Sequence, residues 1–239
     1  MPPKKSGSKK GAAPSKNRRN TQKKVKHDDD DDLLDQILSE RQADLAECDD
    51  TELDFKLDAN GLVADAAVRM QQAQRLRKRG NDLLAQRASP KSTLPPQHCA
   101  FAAIDVFTEA LWALAGSPPG VEHPERCYPE AFLCADETSE EVCDVAANML
   151  CKISETQRSG HGVTKVHSLQ TADLATRVAP ERGECFACRA GAEFATGKCD
   201  AARKSLQRFE NLGGSGDGDD HDAAALLKKL DSDAKNVDC

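Results

Sequence analysis

Two short apolar stripes at helical spacing, joined by Gly197-Lys198, fill the stretch from Glu181 to Phe209 (ERGECFACRAGAEFATGKCDAARKSLQRF). This stretch limits the possible folds more than any other. On the first stripe Phe186, Ala190 and Phe194 recur four apart, which predicts a helix over about 185–194. On the second, Ala202, Leu206 and Phe209 predict a helix over about 199–209. Small residues stand where two helices would touch: Ala187, Ala190, Gly191, Ala195 and Ala202. The pattern is that of a closely packed αα-hairpin, a unit that usually occurs in stacks.

The rest of the chain supplies further helices. Gly61 to about Arg87 reads as a long one, with Val63, Ala66, Met70, Ala73, Leu76, Leu83 and Leu84 inward and Arg69, Arg75, Arg77, Lys78 and Arg79 outward. Pro90, Pro95 and Pro96 break it. A helix over about His98 to Ala115 follows, its stripe Phe101, Ile104, Phe107, Leu111 and Leu114, ended by the run Gly116 to Gly120. Tyr128, Phe132 and Leu133 suggest a short turn or helix. Thr138 or Ser139 followed by Glu141 marks a helix start, with Val142, Ala146, Met149, Leu150 and Ile153 inward to about Gln157. A last helix over 166–178 is closed by Pro180. With aromatics at 4% and alanine in the seams, the expected class is all-α, with one modest helical domain and disordered flanks.

The flanks are charged. Residues 1–27 hold Lys4, Lys5, Lys9, Lys10, Lys16, Arg18, Arg19, Lys23, Lys24 and Lys26 with almost nothing to bury, and the charge flips at Asp28 to Asp32. Such a tail either solubilises or contacts nucleic acid, ribosomes or the nuclear import machinery. It lacks the aromatics that would stack on bases. Leu33, Leu34, Ile37, Leu38 and Leu45 form a short amphipathic helix, which either folds on a partner or is transient. The expected organisation is 1–32 charged tail, 33–60 short helix and linker, 61–212 helical domain, and 213–239 acidic linker with a weak helix at Leu226, Leu227 and Leu230.

Catalytic and metal patterns are weak. Cys185-x-x-Cys188 with Cys199 has no histidine at finger spacing and no preceding strand, so these cysteines read as small packing residues. No glycine-rich phosphate loop is followed by lysine, His161 has no serine–acid partner, and Asp28 to Asp32 do not follow calcium-loop spacing. The expectation is a non-enzyme with no metal and no cofactor. No window is long and apolar enough for a membrane span, and the opening residues contain no signal-like apolar run. A reducing compartment, cytoplasmic or nuclear, and free thiols are therefore expected for the ten cysteines.

Three helix pairs in a row, about 62–115, 140–179 and 183–210, resemble the tetratricopeptide repeat, a helical pair of 34 residues. The last copy carries Ala190, Gly197, Ala202 twelve after Ala190, and Leu206 at the repeat's spacing, with Phe209 where alanine is usual. Ser168, Ala172, Ala175 and Pro180 close the second copy in register, and Gly183 opens the third. Leu76, Gly80, Asn81 and Leu83, then Ala103, Phe107, Glu109 and Ala110, suit the first copy. Gly80 and Ala103 are twenty-three apart where the repeat has about twelve, and extra residues lie at 160–165 and between copies one and two. The resemblance implies three antiparallel pairs stacked in a right-handed superhelix.

It also implies a site. Three-repeat domains of this family that serve co-chaperones clasp the terminal carboxylate and an acidic side chain of a chaperone tail with Lys, Asn and Arg of their first helices. Arg77 falls on the usual lysine place and Asn81 on the asparagine; Asn148 matches in the second repeat, and Arg189 matches the arginine of the third. Cys185 stands where that repeat has lysine, with Arg182 the nearby substitute. The expected function is a protein-interaction adaptor, co-chaperone-like, for peptides with acidic C-termini. The alternative is a structural scaffold making nuclear, ribosomal or nucleic-acid contacts through its basic tail.

Overall fold

Seven helices and no strand make up the described part of this computed structural model, which covers residues 53, 55–89, 94–123, 127–159 and 163–214. They are α1 (Ala66–Ala88), α2 (Pro96–Leu114), α3 (Glu130–Leu133), α4 (Glu140–Arg158), α5 (Val163–Val178), α6 (Gly183–Ala195) and α7 (Cys199–Asn211). The expected charged tail, the helix at Leu33 to Leu45, the acidic linker and the helix at Leu226 to Leu230 lie outside the described residues. No helix among the described residues is long and apolar enough to cross a membrane.

Consecutive helices pack as pairs: α1 with α2, α4 with α5, α6 with α7. The pairs then meet in chain order, α2 on α4, α5 on α6, and α4 directly on α6. Most of the core is one continuous cluster through the first five helices and the inner face of α6. A smaller cluster of Ala190, Ala202, Leu206 and Phe209 holds α6 to α7, with Phe186 and Phe194 at its margin.

Local sequence explains the helix ends. Asp65 caps α1 by accepting the N–H groups of Ala67 at 2.8 Å and Val68 at 3.4 Å. Pro96 opens α2, where its missing N–H costs nothing. Ser139 caps α4, accepting Val142 N–H at 3.4 Å. Gly197 takes φ 78°, letting Lys198 N–H reach back to Glu193 O at 2.8 Å and Gly197 N–H to Phe194 O at 2.9 Å. That αL closure turns the chain from α6 into α7 and requires no side chain at 197.

Close approach depends on small residues. Gly80 of α1 lies under the Phe107 ring of α2. At the α4–α5 crossing Ser154 and Ser168 bond reciprocally: their hydroxyls are 3.0 Å apart, and each donates to the other's carbonyl at 2.9 Å. Thr171 adds a bond to Gln157 Oε1 at 3.0 Å. These buried hydroxyls are satisfied, so the crossing avoids the cost of unpaired polar groups.

Described residues of the insertion between the first two pairs are held against the helices. Trp112 stacks on His123 with ring centroids 4.0 Å apart and donates to Cys127 O at 3.0 Å. Tyr128 hydroxyl meets Thr171 Oγ1 at 3.3 Å, and Arg177 pairs with Glu130.

Several expectations are corrected. The long first helix begins at Ala66, not Gly61; Val63 is buried, but in a turn, where it donates to Gly116 O at 2.8 Å. Phe101, expected inward on α2, is 52% exposed, and Cys99, Val106 and Ala113 are buried instead. The α5 helix starts at Val163, so Thr164 and Lys165 are helical rather than part of the extra loop. Gly191 touches Arg158 of α4, so it serves the seam between pairs and not the α6–α7 hairpin.

Candidate functional site

The first helices of the three pairs run side by side in one direction. Arg182, which caps α6, reaches Asp144 in the first half of α4, donating to its carbonyl at 2.9 Å with its carboxylate at 3.5 Å. Further along, Cys188 meets Cys151, and near the far ends Gly191 meets Arg158. At the other flank, residues of the first turns of α1 and α4 face each other across a cavity, and Arg87 at the end of α1 donates to Ser159, just past α4, at 2.8 Å. Between the first turns of α1 and α4 is a cavity of about 310 Å³ with Met70, Leu114, Phe132 and Val142 in its walls and Arg69, Glu137 and Thr138 at its polar side.

Charge is uneven along this surface. α1 carries Arg69, Arg75, Arg77, Lys78, Arg79 and Arg87 against the single acid Asp82, in a chain of net charge -7. Met70, Arg77 and Asn81 share one face of α1, because seven residues are nearly two full turns and eleven nearly three. That face contains the wall of the cavity.

The five residues expected to clasp a carboxylate differ in their surroundings. Asn81 is exposed, and Arg77 and Asn148 are partly buried. Arg189 is bound by acids of the fold: its guanidinium donates to Glu193 Oε1 at 3.0 Å and to Asp173 Oδ1 at 3.2 Å. Arg182 is likewise shared between Asp144 and Glu184, the latter at 2.6 Å. The structure therefore divides the set into the α1 pair Arg77 and Asn81, the central Asn148, and two arginines whose charge is largely answered internally.

Two features went unread in the sequence. Glu193 is buried, its side chain 5% exposed, and accepts from both Arg189 and the Ser205 hydroxyl at 2.7 Å. A glutamate in a hairpin gives no sign of facing inward until its partners from α6 and α7 are assembled. The second feature is a group of three thiols. Cys151 of α4 is buried against Cys185 and Cys188 of α6, and the Cys188 thiol donates to Cys151 O at 3.7 Å. The Cys185–Cys188 spacing was legible, but Cys151 joins only through the α4–α6 packing. Cys185 sits in the first turn of α6 beside Arg182; the hydrogen bond from Cys151 and then that positive charge draw its thiol below the ordinary cysteine range, against the effect of burial. Contact with the other two thiols and burial push Cys151 the opposite way. Among the described residues no group of three or more His, Cys, Asp or Glu side chains is arranged to hold a metal ion.

The described residues are thus all-helical, with consecutive helices packed in pairs and a basic first helix beside a cavity. No family model and no curated protein matches its sequence.

Proposed function

We propose that this chain is a protein-interaction adaptor of the tetratricopeptide type, co-chaperone-like, that binds an acidic C-terminal peptide along the face of α1 that borders the cavity. The observation that carries the reading is the parallel run of α1, α4 and α6, which brings the first helices of successive pairs to one side. Helical repeats use such a surface to line up recognition side chains for an extended segment. In this reading Asn81, Arg77 and Asn148 donate to the peptide's carboxylates. Charge-assisted bonds of this kind are the stronger hydrogen bonds. The apolar cavity takes a hydrophobic side chain of the same peptide. Arg189 and Arg182 act mainly by holding α6 in place, because Asp173, Glu193, Asp144 and Glu184 already neutralise them.

Fluorescence anisotropy of a labelled peptide ending in Glu-Glu-Val-Asp, with its C-terminally amidated form as control, tests this. The reading requires saturable binding by the full chain, loss on amidation, and weakening as salt is raised. Equal binding of both forms would remove the carboxylate from the account.

The internal neutralisation of Arg182 and Arg189 favours a second reading, a structural scaffold whose contacts are made elsewhere, including through the basic residues 1–27. It requires that neither peptide bind, and that removal of residues 1–27 abolish nucleic-acid binding or localisation.

A further inference from the structure

We propose that Cys151, Cys185 and Cys188 form an oxidisable thiol centre between α4 and α6, in which hydrogen peroxide converts Cys185 and Cys151 to a disulfide that cross-links the two helices. The inference stands apart from the peptide-binding reading.

The geometry has three parts. Cys151 of α4 and Cys185 and Cys188 of α6, one turn apart on the same face, are all buried in the α4–α6 seam, so thiols from two helices gather at one place. Cys188 donates its S–H to Cys151 O at 3.7 Å, which fixes the level of α4 against α6 at this point. Cys185 occupies the first turn of α6, where the N–H ends of the helix and the adjacent Arg182 guanidinium favour a thiolate. The acids nearest the centre, Asp144 and Glu184, are both engaged by Arg182. Burial pushes Cys134 and Cys143 above the ordinary cysteine range. Cys185 is thus the better thiolate, although the other two are easier to reach.

The chemistry balances with peroxide as oxidant. The Cys185 thiolate attacks one peroxide oxygen, the O–O bond breaks, and the departing hydroxide takes a proton to become water. The product is a sulfenic acid. The Cys151 sulfur then attacks the Cys185 sulfur, the S–O bond breaks, and the leaving hydroxide takes the Cys151 proton as a second water. Two thiols lose two electrons and peroxide gains them. A dithiol reductant reverses the step by thiol–disulfide exchange. Cys185, Cys188 and Cys151 are 1%, 7% and 9% exposed, so the centre is closed to bulky reagents and reacts when the seam breathes. The cross-link would then tie together the two helices that carry Asn148 and Arg189.

The test treats the folded full-length protein with hydrogen peroxide, blocks the remaining thiols, digests it and maps the products by mass spectrometry. A peptide joining Cys151 to Cys185, lost on reduction, is the expected result. The Cys188→Ala protein should still form it. The Cys151→Ala protein should instead accumulate Cys185 sulfenic acid, trapped by dimedone. The idea is overturned if Cys151 and Cys185 stay reduced in the folded wild-type protein while exposed Cys127 and Cys134 oxidise. A bond between Cys185 and Cys188 with Cys151 free would also overturn it, as would a Cys151–Cys185 link that appears only in denaturant.

Discussion

Gly80 of α1 faces the ring of Phe107 on α2 so closely that a Cβ at position 80 would come 2.6 Å from the ring edge. The ring is completely buried. Two effects compete in Gly80→Ala. Helix propensity favours alanine by about 1 kcal/mol. Overpacking against a rigid ring costs about 1–3 kcal/mol. The contact is well below van der Waals distance, so overpacking wins. Chemical denaturation should show a net loss of up to about 2 kcal/mol, and combining Gly80→Ala with Phe107→Leu should recover part of it.

Glu193 is a buried carboxylate with two donors, Arg189 from its own helix and Ser205 from α7. Arg189→Ala would leave it without its cation. Removing one partner of a fully buried pair costs about 3–5 kcal/mol, and the one-third exposure of Arg189 (34%) lowers that to about 2–3 kcal/mol. Thermal unfolding without any peptide should reveal the loss, and adding Glu193→Gln should restore a good part of it. An unchanged melting temperature in Arg189→Ala would mean that this arginine has no structural duty.

The reciprocal hydroxyls of Ser154 and Ser168 hold the α4–α5 crossing. Ser154→Ala removes the bond to the carbonyl of residue 168 but leaves the Ser168 hydroxyl its bond to the carbonyl of residue 154. A cost of about 0.5–1.5 kcal/mol is expected. Because the two side chains share one network, the double alanine variant should cost less than the sum of the singles in a denaturant cycle.

Asp58 accepts the N–H groups of Leu62 and Asn60, at 3.0 and 2.8 Å, and these bonds hold its carboxyl below the ordinary aspartate range. A depressed folded-state pKa contributes stability that is complete above the unfolded value and lost as pH falls through the folded one. The turn before α1 should therefore keep its form through neutral and mildly acidic pH. In an NMR titration, the Asn60 and Leu62 amides should shift only below the usual aspartate range, and Asp58→Asn should remove that transition.

Helix positions were legible because the stripes recur at helical spacing, and the ends of α6 and α7 were clear because Gly197 marks a turn that few other residues accept. Phe101 misled because hydrophobicity says only that a residue can be buried; the partner of its face is a matter of assembly. Val63 is buried as expected, but its burial comes from a segment before α1 bonded to Gly116 and not from the helix itself. For the site, residue types could be matched to places on the first helix of each pair. The acids that answer Arg182 and Arg189 were not legible, since Asp144 and Asp173 come from other helices and meet them only after packing.

The most direct test of the account is calorimetric titration of the full chain with a peptide ending in Glu-Glu-Val-Asp, comparing the wild type with Arg77→Ala/Asn81→Ala. The account predicts a dissociation constant on the order of micromolar for the wild type and at least about tenfold weaker binding for the variant, about 1.4 kcal/mol. The melting temperature should be nearly unchanged, since Asn81 is exposed and Arg77 only partly buried. No heat at high peptide concentration from folded protein, or equal affinity of wild type and variant, would contradict it.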